Sequence, residues 1–358
     1  MKLLLIAAAI ALPAFVPSPA AARAPASLDR DLPALLAEHR VRSVSVARVE
    51  RGRIAWAGAW GTIDGRVPAT AQTLYNVASL AKPVTAETLI RAAAKGRLSL
   101  DEPMWRHWVD PDLAGDARHR LLTPRLALTH RTGLPNWRYQ TKDRLAFIRE
   151  PGKEVGYSGE GFDYAARFAE RRTGTPFERL AERLVFAPAG MKQTAFTKRN
   201  WFEGRMALPA DAEGRPVEAT VRTSFSAADD LWTTASDYGR FLIGVSRGQG
   251  LNASLRADRE KVQGDRRESV CKPERPHTCP DESGFGLGWD VTRLGPERIL
   301  WHTGHDKGEF AFAYVIPSTG EGMVILTNSA VGYKMVVPVM ERAGASTRLI
   351  NHLRAIVP

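Results

Sequence analysis

The sequence predicts an α/β protein of the α+β kind: an antiparallel sheet made from both chain ends, with a mainly helical region inserted between them. Three observations carry this. One pair of strand-like runs lies near each end of the 358-residue chain, the middle holds apolar residues at helical spacing, and neither an internal repeat nor a Ser/Gly linker divides it. Residues 23–358 therefore read as one domain, with sheet parts at about 40–62 and 285–330 and the helical region at about 79–250.

In chain order, Leu32, Leu35 and Leu36 give a first surface helix over Leu28 to His39. Ser43 to Val49 and Arg53 to Trp60 alternate as strands around a tight Arg51-Gly52 turn. Helices are expected over Ser79 to Lys95, Gly161 to Thr173, Pro176 to Leu184 and Ala235 to Arg247, with Gly96, Gly174 and Gly248 as stops for the first, second and fourth. Glu309 to Ile316 and Gly322 to Asn328 form the second strand pair around Pro317-Ser318-Thr319-Gly320, and Met335 to Ile356 returns to helical spacing.

Composition excludes several classes. Hydrophobic content of 44% with 25% charged residues is the ordinary globular mixture, not that of a disordered chain. The net charge of +11 is spread thinly, and basic residues interleave with acidic ones even from Arg256 to Arg275. Without a run of like charges, no nucleic-acid partner is expected.

Met1-Lys2, the apolar run Leu3 to Leu12 and the small residues Ala20-Ala21-Ala22 read as a cleavable secretory signal over residues 1–22. Pro13, Pro17 and Pro19 prevent that run from continuing as a helix, so no lasting membrane anchor is expected. The expected location is periplasmic or secreted. An exported chain keeps disulfides, and Cys271 with Cys279 brackets a short polar stretch where a local bridge would add about 2.5 kcal/mol by loop-closure entropy. With His277 the two thiols make at most three metal ligands at poor spacing, so no metal is expected.

Ser79-Leu80-Ala81-Lys82 opens a predicted helix. Positions i and i+3 share a helix face, which brings the lysine amine within reach of the serine hydroxyl. A serine needs such a neighbour to take its proton before it attacks, and a helix start supplies free N–H groups for an oxyanion. Spacing alone is weak: Ser269-Val270-Cys271-Lys272 repeats it in what reads as a Pro-rich loop. Gly244-Val245-Ser246-Arg247-Gly248 matches the Gly-x-Ser-x-Gly elbow but ends an amphipathic helix instead of following a strand. Gly284-Phe285-Gly286-Leu287-Gly288-Trp289 lacks the helix of a dinucleotide fingerprint and reads as strand where backbones approach closely.

Ser79-Leu80-Ala81-Lys82, Tyr157-Ser158-Gly159 and His302-Thr303-Gly304 resemble, in order and broad spacing, the three active-site motifs of the serine β-lactamase and penicillin-recognising superfamily. The likeness is to its class C-like branch, which includes DD-peptidases and esterases, and it spans nearly all of residues 23–358. Leu128 to Pro135, Pro188 to Met191, Leu231 to Tyr238 and Gly286 to Trp289 resemble supporting segments of that branch. The resemblance implies a β-lactamase/transpeptidase-like fold with helices on both sheet faces, and an exported serine hydrolase that uses no cofactor. Its substrate would be a small molecule or a peptidoglycan fragment.

Carried over by motif, Ser79 would attack the carbonyl, Lys82 and Tyr157 would handle its proton, and the backbone N–H groups of Ser79 and His305 would hold the oxyanion. His302, Thr303, Gly304 and Gly159 would line the substrate. Two positions depart from the pattern. Gly159 stands where β-lactamases and DD-peptidases of this branch usually carry Asn, and His302 where class C β-lactamases usually carry Lys. Both changes point away from β-lactam hydrolysis and toward an esterase or amidase, with a DD-peptidase or weak β-lactamase as the alternative. A reading from another class is an inactive wall-binding protein of the same fold. Trp137, Phe285, Trp289 and Trp301 are either pocket aromatics or core.

Overall fold

The computed structural model describes residues 23–271 and 279–356. The predicted signal over 1–22 lies outside them, as does His277. Eight strands form one antiparallel sheet: β1 (Ser43–Glu50), β2 (Arg53–Gly61), β5 (Gly264–Asp265), β6 (Glu282–Phe285), β7 (Asp290–Leu294), β8 (Glu297–His305), β9 (Phe310–Ile316) and β10 (Glu321–Thr327), in the order β2-β1-β10-β9-β8-β7-β6-β5. The chain ends meet where β1 pairs with β10, Val46 opposite Ile325. Arg51 and Gly52, both at positive φ, make the turn from β1 to β2.

The sheet has two cores because its strands alternate with period two. Phe310, Phe312, Tyr314 and Ile316 of β9 face one side with Val44, Val46, Met323 and Ile325. There they meet the helices Ala26–His39, Val336–Arg342 and Thr347–Ile356. Ala311, Ala313 and Val315 face the other side, against the central helix Ala81–Ala94 and the helix Ala235–Ser246. The residues on this second face of β9 are small, so the helix Ala235–Ser246 and the turn Ala78–Leu80 lie close to the sheet.

Local chemistry sets the helix ends. Ser158 Oγ accepts from Gly161 N at 2.9 Å to start the helix Gly159–Thr173, and Gly174 at φ +64° ends it. Thr234 Oγ1 accepts from Asp237 N at 3.1 Å to start Ala235–Ser246.

Several expectations change. The run Met335 to Ile356 is two helices, because Gly344 takes φ +63° between them. Past Ala181 the third predicted helix widens into a π-turn over Glu182–Phe186. Between 97 and 158 only Pro124–Leu128 is α-helical, the rest being short 3₁₀ turns and irregular chain, so the inserted region is less helical than expected. The prolines at 103, 111, 135 and 151 interrupt it. The sheet also reaches back to Gly264, and Ser269 lies on a one-turn helix, Arg267–Val270, instead of a loop. A small ladder of β3 (Tyr75–Asn76) with β4 (Trp232–Thr233), too short to carry a period, was not predicted. Cys271 and Cys279 are disulfide-bonded, which consumes both thiols. No helix among the described residues is long and apolar enough to cross a membrane.

Candidate active site

Ser79 stands on a turn held from several sides. Ala78 before it has φ +45°, a conformation disfavoured for any side chain, and Asn76 fixes it. Asn76 Oδ1 accepts from Ala78 N at 2.9 Å, while its Nδ2 donates to Asp230 Oδ1 at 3.0 Å. Val77 N donates to Leu231 O and Tyr238 Oη to Leu80 O. The resulting 3₁₀ turn Ala78–Leu80 runs straight into the central helix, with Ser79 at its mouth.

One turn along, Lys82 Nζ donates to Ser79 Oγ at 2.8 Å and to Ala228 O at 2.9 Å. Lys82 is fully buried and makes no salt bridge among the described residues. Aromatic faces surround it instead: its Nζ lies 4.8 Å from the ring centre of Tyr157, 5.7 Å from Trp137 and 5.9 Å from Phe162. Such faces attract a cation through their quadrupoles. The Ala228 carbonyl is itself positioned by its neighbour. Ala227 O accepts from Thr85 Oγ1, and Ala227 N donates to Asp163 Oδ1 at 2.6 Å. Burial raises the Asp163 carboxyl to about 6.

Tyr157 precedes the Gly159–Thr173 helix and stacks on His130, ring centres 4.4 Å apart. His130 Nδ1 accepts from Ser158 N at 3.0 Å, so the ring proton sits on Nε2. Burial and the nearby Lys82 hold His130 well below the usual histidine range, and the ring is neutral. Phe285 packs edge-to-face on His130 with ring centres 4.4 Å apart, and lies 6.1 Å from the Tyr157 ring. Tyr157 and Phe285 wall a cleft of about 960 Å³ that also borders Arg131, Lys153 and Arg266.

Strand β8 supplies the far wall. Gly304 presses so tightly on the serine turn that a Cβ there would lie 1.9 Å from Val77 O and 2.9 Å from Leu80 N. Only glycine permits this approach, which carries the backbone of His305 to the Ser79 turn. Strand β7 pairs with β8 from Glu297 to Trp301 only, so the stretch His302–His305 pairs with β9 alone. Among the described residues no strand pairs with its other edge, which leaves room for an extended substrate. His302 Nδ1 donates to Thr303 O at 2.5 Å, and burial pushes the ring down to about 3.

The fold thus brings Ser79, Lys82 and Tyr157 together, with β8 and Gly159 around them. Of the four weighed aromatics, Trp137 and Phe285 lie at this site. Trp289 is core, stacked on Phe241, and Trp301 donates from Nε1 to Thr292 Oγ1 beside the opposite core. Ser246 ends its helix with Oγ donating to Ile243 O, and the glycines at 284, 286 and 288 sit where a Cβ would strike backbone or a neighbouring side chain. Sequence reasoning missed His130, Asn76, Asp163 and the Ala228 carbonyl. The available signal was limited to His130, which lies in the segment Leu128 to Pro135.

The fold and this arrangement define a serine hydrolase of the penicillin-recognising type. A match to the Beta-lactamase family covers residues 28–339, and the chain belongs to that family. It is 22% identical to a β-lactamase of Pseudomonas fluorescens over 84% of this chain and 92% of that protein. It is 30% identical to the esterase EstB of Burkholderia gladioli over 56% and 58% respectively. The fold superposes on that of a D-alanine carboxypeptidase AmpC from Burkholderia cenocepacia with a TM-score of 0.71 at 19% identity, covering 89% of this chain and 97% of that one.

Proposed function

We propose that this protein is an exported esterase or amidase that works through an acyl-serine intermediate, with esters as its better substrates. The observation that carries this is the 2.8 Å hydrogen bond between Lys82 Nζ and Ser79 Oγ at the mouth of a helix. Ser79 Oγ attacks the substrate carbonyl and its proton passes to the Lys82–Tyr157 pair. The negative charge that develops on the carbonyl oxygen is held by the N–H groups of Ser79 and His305, each such donor being worth about 3 kcal/mol in the transition state. Collapse expels the alcohol, which takes up the proton, and water then releases the acid by the same steps.

Two features support ester over β-lactam chemistry. His302 is neutral, so this position offers no fixed cation for the carboxylate that β-lactams carry. Gly159 provides no side-chain amide. The free edge of β8 favours a second reading, a DD-peptidase, because an extended peptide could pair along His302–His305. Export is supported by the Met1-Lys2 leader and by the Cys271–Cys279 bridge.

The test is a kinetic comparison on the pure protein. Short-chain aryl esters are expected to show at least tenfold higher kcat/KM than cephalosporins. The reverse order would refute the proposal.

A further inference from the structure

Gly159 is more than a missing asparagine, because the space a side chain would use there is occupied. A Cβ built on Gly159 would lie 2.7, 2.9 and 3.0 Å from three ring carbons of Trp137. The indole therefore lies flat against the start of the Gly159–Thr173 helix, and no residue larger than glycine fits beneath it without moving the ring.

The seat of Trp137 is fixed on both sides. Asn136 O and Oδ1 both accept from Gly159 N, at 3.1 and 2.9 Å. Arg138 N donates to Glu160 Oε1 at 3.0 Å, and its guanidinium pairs with the same carboxylate at 2.8 Å. Gln140 Oε1 accepts from Asn136 N and Trp137 N. The ring is only half-buried, and its centre is 5.7 Å from Lys82 Nζ, which in turn is 2.8 Å from Ser79 Oγ. A rigid aromatic plane thus stands beside the reacting serine at the position whose polar counterpart would be an amide.

Building on the acyl-serine reading above, we infer that Trp137 is the specificity-determining residue of this site. Its indole walls the acyl pocket and selects esters of flat, apolar acids, and Gly159 is the residue that makes room for it. Aromatic and apolar acyl groups gain from packing on the ring face, whereas a polar acylamido chain meets no partner there and leaves its own groups unpaired.

The experiment compares wild type, Trp137→Ala, Trp137→Phe, Gly159→Asn and the double variant Trp137→Ala/Gly159→Asn. Each is assayed on p-nitrophenyl phenylacetate and on the chromogenic cephalosporin nitrocefin, with fluorophosphonate labelling of Ser79 measured in parallel. Trp137→Ala is expected to lower ester kcat/KM at least tenfold, mainly through KM, while Trp137→Phe stays within about threefold of wild type. Gly159→Asn alone should lose activity on both substrates, because asparagine and indole cannot share the space. The double variant should recover labelling and raise the nitrocefin-to-ester ratio at least tenfold above wild type. The inference is overturned if Gly159→Asn alone behaves as wild type, if Trp137→Phe falls as far as Trp137→Ala, or if the double variant fails to raise the ratio. Failure of wild type to label at Ser79 would instead sink the acyl-serine reading itself.

Discussion

His302 carries no charge in the folded protein, and the cause is where β8 puts it. Its ring is buried, its Nδ1–H is engaged by Thr303 O, and the nearby Lys82 ammonium opposes a second proton. Histidine ordinarily titrates near 6.5, so the unfolded chain takes up a proton on acidification that the fold refuses until about 3. The stability tied to this group is thus full above pH 6.5 and is lost as the pH falls below it. Between pH 7 and 5 the loss amounts to about 2 kcal/mol for one such histidine. Urea unfolding at both pH values should show that His302→Gln removes this increment from the pH dependence, whatever it does to stability at pH 7. Equal pH dependence in the two proteins would contradict the neutral ring.

At the scale of elements, the central helix Ala81–Ala94 holds the site from behind as well as in front. Glu87, one and a half turns beyond Lys82, is fully buried between two arginines: Arg259 Nη1 lies 3.0 Å from Oε1 and Arg91 Nη2 3.3 Å from Oε2. Arg91 also donates to Leu184 O, and Arg259 pairs with Glu260. This cluster joins the helix to the segment leading into β5. Removing its one fully buried carboxylate leaves two buried cations facing each other, a change that costs about 3–5 kcal/mol in such settings. Glu87→Gln should lose that much in urea unfolding, and replacing Arg259 with Met in the same chain should restore part of it. A loss below about 1 kcal/mol would show that the cluster does not anchor the helix.

Across the whole molecule, what could be read from the sequence is what depends on near neighbours in the chain. The alternation in Ser43 to Val49 and Arg53 to Trp60 located β1 and β2, Gly174 marked a helix end through its left-handed φ, and the eight-residue separation of Cys271 and Cys279 sufficed for their bridge. Ser79 and Lys82 were legible for the same reason, being one helical turn apart. The rest depends on long-range meetings. Lys82 finds Ala228 O across 146 residues and Arg259 finds Glu87 across 172, and neither segment signals its partner. Gly159 meets the Trp137 ring from 22 residues earlier in the chain, a contact that nothing around either residue signals. If Ser79 forms the acyl bond, intact mass after treatment with a fluorophosphonate will show one adduct per wild-type chain and none in Ser79→Ala; an adduct that persists in Ser79→Ala would rule Ser79 out as the nucleophile.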